Sequence, residues 1–341
     1  MYKLNYMLPV LIGAPDMADT KIFNISLIQK GEPKLLRLFP NYSSSSNSHK
    51  PQLSPMIKYT KQSLGSYLAG LIEGDGYITI TNKDSVILGI TFNLKDKPLA
   101  EKLLRILGGG FIVKRKTNSV ELRFSHKQTL CQIIELINGK FRTPKIEALH
   151  RLIHWLNEYN KFERLDLLSL DNSNLLSNAW LAGFSDCDSN FLVTFTTQSG
   201  IAKNIQLTYR LSQRQNYHRA SEFGTSYLPI LTKISQSFNT KLVSFERSRI
   251  NVNTKYNFIE LGYLVTVKSL SSRNELIKYF SRFSLLSSKH LDYLDWVESH
   301  ELVLSKKHKT IEGTSKLIEL KNSMNTKRSY FNWDHLDAYN K

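Results

Sequence analysis

Two stretches whose final aspartates lie 113 residues apart (188 − 75) constrain this chain most: SLGSYLAGLIEGDGYITI (63–80) and SNAWLAGFSDCDSNFLVTF (177–195). Placed in register, they bring Ser66 onto Ala179, Gly70 onto Gly183, Gly74 onto Cys187 and Asp75 onto Asp188. The first three pairs are small. Residues four apart share one helix face, so two helices carrying this stripe can bring their backbones nearly into contact. Leu68, Leu71 and Ile72 in one, and Leu181 and Phe184 in the other, fall on other faces and can anchor each helix in its own half of a core. Each helix delivers an aspartate in its last turn. Close approach then brings two carboxylates to a pseudo-twofold axis, where they repel unless a cation intervenes. Hard oxygen donors with positions left for water and phosphate suit Mg²⁺. A single Asp-Gly after an apolar run is ordinarily a turn; two copies, each followed by strands, favour the more specific reading.

The segments downstream of the two motifs repeat as well. Alternating, strand-like VILGITFNL (86–94) and IQLTYRLS (205–212) precede the amphipathic segments PLAEKLLRIL (98–107) and SYLPILTKISQSF (226–238). Second strand pairs come next: FIVKRK (111–116) with SVELRFS (119–125), and KLVSFE (241–246) with FIELGYLVTVK (258–268). Each copy closes on helices, KQTLCQIIELI and PKIEALHRLIHWLNEY in the first, RNELIKYFSRF and KHLDYLDWVESHELV in the second. The expected fold is α+β, an αββαββα unit with an extra helix, used twice: residues 61–160 and 177–341, joined by a polar, Asn-rich linker at 161–176. Residues 1–60 differ, with six prolines and the tract SSSSNS at 43–48, and are expected to be largely irregular. Asp16 and Asp19, and the absence of arginine before Arg37, argue against an import presequence there.

Composition narrows the partner. With 46 Lys and Arg against 29 Asp and Glu, the formal charge is +17, which attracts a polyanion. No apolar run reaches the roughly 20 residues that span a bilayer, so no membrane partner is expected. Two cysteines, Cys131 and Cys187, cannot build a disulfide framework, and the histidines lack an HExxH pair.

LAGLIEGDG (68–76) and LAGFSDCDS (181–189) resemble the paired motifs of the LAGLIDADG homing endonucleases in their single-chain, two-repeat form, a likeness that extends over about residues 60–340. RTPKIEALHRLIHWLN (142–157) and SSKHLDYLDWVESHEL (287–302) resemble the same family. The resemblance implies two pseudo-symmetric αββαββα repeats, motif helices packed at their interface, and antiparallel sheets forming a DNA-binding saddle. It places catalytic metal ligands at Asp75 and Asp188, with the backbone carbonyls of Gly74 and Cys187 as further ligands, and makes Glu73 and Asp186 structural. The second copy departs from the pattern, with Cys187 for a usual Ala or Gly and Ser189 for the closing Gly. Serine at 189 would be strained if the exit turn needs positive φ. NYMLPVLIGAPDMA (5–18) resembles a stretch of cytochrome c oxidase subunit 1, which implies an exon read into a protein encoded by a mitochondrial group I intron, hence mitochondrial localisation.

On this reading the partner is double-stranded DNA, bound by a monomer with internal pseudo-twofold symmetry, and the reaction is metal-dependent cleavage promoting intron homing. Two-stranded ribbons fit the major groove. Thr91, Asn93, Lys114, Lys116, Arg123, Gln206, Thr208, Arg210 and Gln213, with Glu121 beside them, are the candidate base and backbone contacts; Gln213, Arg210 and Lys268 are also candidates to assist the chemistry. Lys306, Lys307 and Lys309 suit phosphates. Two other readings remain: an RNA maturase acting on its group I intron RNA, and a DNA-binding regulator without catalysis.

Overall fold

The computed structural model describes residues 60–82, 85–159, 163–250 and 256–339, all within one compact unit that spans 51–341. The cytochrome-oxidase-like opening and the rest of 1–59 lie outside the described residues. Helix α1 (Lys61–Asp75) starts at Thr60, whose hydroxyl accepts the Ser63 N–H. It runs directly into β1 (Gly76–Asn82) and β2 (Ser85–Asn93), followed by α2 (Lys97–Leu107), β3 (Gly110–Lys114), β4 (Ser119–Phe124), α3 (Lys127–Ile137) and α4 (Ile146–Glu158). The second half repeats this order: α5 (Trp180–Asp188), β5 (Ser189–Gln198), β6 (Ile201–Arg214), α6 (Leu228–Ser237), β7 (Leu242–Ile250), β8 (Asn257–Val267), α7 (Leu270–Arg282) and α8 (Lys289–Leu304), with α9 (Ile311–Asn322) added.

Each half forms an antiparallel four-stranded sheet, ordered β1-β2-β4-β3 and β5-β6-β8-β7. Strand alternation gives each sheet one buried and one open face. In the first, Val86, Leu88, Ile90, Phe92, Val120, Leu122 and Phe124 are buried against the helices. In the second, Phe191, Tyr209, Phe280, Tyr293 and Trp296 stack edge to face or tilted, with centroids 5.4–6.0 Å apart. One buried cluster runs through both halves by way of α1 and α5, because Tyr67, Leu68, Trp180, Leu181 and Phe184 are all sealed from solvent.

The described part of the linker carries no helix or strand from 163 to 174, yet it is pinned. Asn157 brackets Leu165 through its amide and carbonyl groups, each at 2.9 Å. Arg142 donates to Asp171 at 2.6 Å and to the Ser173 carbonyl at 2.9 Å. The polar residues that mark a linker in sequence here supply its anchors. The C-terminal segment is pinned likewise: Arg328 reaches Asp292 at 3.0 Å and Asp295 at 2.5 Å, and Leu336 enters the core.

Candidate functional site

The two motif helices meet backbone to backbone. A Cβ on Gly70 would stand 2.1 Å from the Trp180 carbonyl oxygen, and one on Gly183 would stand 2.0 Å from that of Tyr67. Both distances are far inside contact, so glycine on each side sets the separation. One turn further on, a Cβ on Gly74 would collide with Cys187 (2.3 Å from its Cβ, 2.5 Å from its Sγ). This explains the cysteine: the missing side chain on one helix makes room for a larger one on the other. The thiol turns to the Leu71 and Gly183 carbonyls at 3.4 and 3.5 Å. Ser189 is unstrained as well. Its φ is −109°, like −82° at Gly76, so neither exit needs the left-handed region, and its hydroxyl donates to the Ser185 carbonyl at 2.7 Å.

Asp75 and Asp188 are each the last residue of a helix and directly precede a strand, so no loop intervenes on either side. Asp188 Oδ2 lies 3.6 Å from the Cβ position of Gly74, the residue beside Asp75. Asp75 stays open to solvent and Asp188 is half-buried. Protein packed around Asp188 disfavours its charge and, with the charge of Asp75 adding to the effect, raises its carboxyl to about 7, while Lys289 and Lys145 oppose the rise.

Those two lysines are not among the residues that the sequence singles out. Lys145 Nζ donates to the carbonyls of Ile72, Gly74 and Gly76 at 3.1, 3.0 and 3.0 Å; Lys289 Nζ donates to those of Ser185 and Cys187 at 3.2 and 2.7 Å. Each stands at the start of the closing helix of its repeat, Lys145 directly before α4 and Lys289 as the first residue of α8, in TPK (143–145) and SSK (287–289), and that repetition is the signal that could have found them. The Gly74 and Cys187 carbonyls, expected as metal ligands, therefore already accept an ammonium, and each retains a second lone pair.

Among the described residues no group of three or more His, Cys, Asp or Glu could hold a metal. Two carboxylates and two carbonyls fit a cation that keeps water and takes phosphate as its remaining ligands. The pair is not symmetric. Gln213 Nε2 donates to Asp188 Oδ2 at 3.0 Å, whereas the matching register position of the first sheet holds Phe92.

Glu73 and Asp186 are buried and fully engaged. Glu73 accepts the Arg142 and Thr143 N–H groups (2.9 and 2.6 Å) and the Trp180 indole (2.5 Å). Asp186 accepts the Leu286 N–H and the Tyr67 hydroxyl (2.8 and 2.7 Å) together with the Ser287 hydroxyl (2.5 Å). Each fastens the start of its own closing helix and takes one donor from the opposite motif helix, the structural part expected of them.

The nucleic-acid candidates divide by strand parity. Thr91, Asn93 and Arg123 share the open face of the first sheet, where Thr91 pairs with Glu121. Lys114 does not join them: it pairs with Val120, on the helix-covered face, because β3 alternates in step with β4. Lys116 is exposed in the turn after β3. Gln206, Thr208 and Arg210 share the open face of β6, although Thr208 is buried there. Gln213 has the opposite parity, which is why it meets Asp188 rather than the open face. Lys268 lines a recess with Lys241 and Ser269, and Lys306, Lys307 and Lys309 are exposed between α8 and α9.

Residues 68–156 and 181–300 match the family model described as LAGLIDADG endonuclease. The chain is 32% identical to the intron-encoded DNA endonuclease aI3 of Saccharomyces cerevisiae, over 89% of this chain and 81% of that one. It is 28% identical to the intron-encoded RNA maturase bI4 of the same organism, over 47% of this chain and 24% of that one. Among solved structures, the I-SmaMI LAGLIDADG homing endonuclease bound to cleaved DNA superimposes with a TM-score of 0.55 at 17% identity, covering 81% of this chain and 100% of that one. With two matched motifs, the shared architecture and a relative aligned over most of both lengths, the chain belongs to the LAGLIDADG endonuclease family, in its two-repeat, single-chain form.

Proposed function

We propose that this chain is a site-specific double-stranded DNA endonuclease that promotes intron homing by Mg²⁺-dependent phosphodiester hydrolysis at an intronless allele. Residues 61–160 and 177–341 are the two repeats of a monomer whose open sheet faces meet the duplex. The observation that carries the reading is the meeting of Asp75 and Asp188 at two helix–strand junctions, with an ammonium fixed beside each.

Asp75 and Asp188 hold the cation, with the Gly74 and Cys187 carbonyls beside them. When bound, the cation supplies Lewis-acid polarisation of the scissile phosphate and acidifies the attacking water. Lys145 and Lys289 hold the carbonyls of both helix ends in place and set positive charge where a phosphodiester enters. Gln213 fixes the orientation of the Asp188 carboxylate. With one aspartate serving each strand, the asymmetry between Gln213 and Phe92 makes the two nicks unequal in rate. The exon-like resemblance of residues 5–18 to cytochrome c oxidase subunit 1 supports a mitochondrial group I intron in that gene as the source.

The full chain, incubated with Mg²⁺ and duplex DNA spanning the intronless exon junction, should make a double-strand break. Asp75→Asn and Asp188→Asn should each lose that break while still binding the duplex in a gel-shift assay. Full cleavage by either variant sinks the site assignment. The likeness to bI4 keeps a maturase reading alongside; tight binding of the intron RNA with accelerated splicing, and no break in the exon-junction DNA, would favour it.

A further inference from the structure

On the open face of the first sheet one carboxylate gathers two arginines and a tyrosine. Glu121 is buried at 8% exposure and accepts from three side chains. Arg115 reaches it through Nε and Nη2 at 2.6 and 2.9 Å, Arg123 through Nε at 2.8 Å, and the Tyr77 hydroxyl at 2.8 Å. A fourth residue makes this possible. Tyr77 pairs with Gly89, and a Cβ at Gly89 would stand 2.3 Å from the tyrosine ring, so only glycine lets the ring lie across β2 towards Glu121. Burial raises the Glu121 carboxyl, but the donors from Arg115, Tyr77 and Arg123 outweigh it and leave it below its ordinary value.

We propose that Glu121 is a positioning residue for sequence recognition: with Tyr77 it locks Arg115 and Arg123 as a preformed pair that reads two guanines in the half-site under the first repeat. The proposal rests on the endonuclease reading. Donors and acceptors can be counted. A carboxylate has about four lone-pair sites; three donors crowd onto Oε2 of Glu121 and one reaches Oε1, so most of its acceptor capacity is spent within the sheet rather than offered to a base. Arg115 and Arg123 spend their Nε edges on Glu121 and keep Nη1 donors. A guanidinium with two free donors matches the O6 and N7 acceptors of guanine. An unrestrained arginine beside DNA turns as readily to a phosphate, which carries no sequence information. Glu121 cancels one of the two positive charges and holds both side chains to the sheet, which favours base edges over the backbone.

The second sheet is built differently at the same register. Asn190 stands for Tyr77, Arg210 for Gly89, Leu264 for Glu121, Thr266 for Arg123 and Phe245 for Arg115. Four residues along β8 from Leu264, Glu260 stands opposite Arg247 and accepts from Arg249 at 2.8 Å, one guanidinium in place of two among the described residues, so the locked pair of arginines, and with it the paired guanine preference, belongs to the first half-site.

Selection of binding sites by the full chain from a randomised duplex library, in EDTA to prevent cleavage, tests this. The wild type should select two G·C pairs at fixed positions in one half-site, each preferred about tenfold or more, as a bidentate arginine–guanine contact provides. Arg115→Ala should erase one preference and Arg123→Ala the other, with the opposite half-site unchanged. Glu121→Gln should weaken both preferences about tenfold or more while binding to non-specific duplex tightens, since a negative charge is lost. Tyr77→Phe, which leaves the sheet's charges alone, should weaken both to a lesser degree and serves if Glu121→Gln melts early. The proposal is overturned if the arginine variants lose affinity equally on all sequences, or if both preferences survive in Glu121→Gln and Tyr77→Phe. A wild type that selects no sequence at all overturns the endonuclease reading with it.

Discussion

His300 illustrates how a single buried group ties stability to pH. Its ring is sealed from solvent, stacks parallel to Trp296 at 6.2 Å and shares a 3.1 Å hydrogen bond with Asn274 Oδ1, which fixes the proton on Nε2 and leaves Nδ1 without a partner. Burial, with the charge of Arg273 adding to it, lowers its pKa to about 4. The unfolded chain takes up a proton near pH 6.5 that the folded chain refuses until about pH 4. Stability from this residue is therefore full above pH 6.5 and declines as the pH falls to about 4, by at most about 3 kcal/mol. Urea melts of wild type and His300→Phe across that window should differ in slope, the variant being flatter; equal slopes refute the account. Residue-scale features of this kind are largely invisible in sequence. Lys145 and Lys289 escape notice there because their partners are backbone oxygens, which leave no complementary side chain to mark them. Gln213 stands out as a polar strand residue, but its role depends on which side of β6 it occupies, and that is a matter of register.

At the scale of elements the sequence is more legible, because period and small-residue spacing are themselves physical constraints. The stripe of Ser66, Gly70 and Gly74 against Ala179, Gly183 and Cys187 implies two touching helices, and each glycine has an identified neighbour on the opposite helix. Gly183→Ala should force α1 and α5 apart, since the new methyl would meet the Tyr67 carbonyl at 2.0 Å. Overpacking of this kind costs about 1–3 kcal/mol. Thermal melting should show that loss, and cleavage should fall further than stability alone explains as the carboxylates separate; unchanged melting and cleavage would contradict the packing. Strand extents are harder to read. β6 runs through Ile201–Arg214 and β7 through Leu242–Ile250, both longer than their alternating cores, because paired backbone continues where side chains no longer show a pattern. The same limit misplaces Lys114: a run such as FIVKRK does not reveal which of its cations faces out until Val120 is seen opposite.

For the whole molecule, a formal charge of +17 and two open sheet faces predict binding dominated by phosphate contacts. With roughly six to ten such contacts, affinity for DNA should fall by roughly 10³–10⁵ between about 50 and 200 mM salt. Titrations at several salt concentrations measure the slope, and a flat response would exclude an extended electrostatic interface. The crossed hydrogen bonds from Tyr67 to Asp186 and from Trp180 to Glu73 have a consequence at this scale. Each half holds a buried acid whose last donor belongs to the other half, so neither is chemically complete alone. A chimera that joins one half to a relative's must therefore inherit matching donor and acceptor together, and compatibility between halves is written into these two contacts rather than into the surfaces that face the nucleic acid.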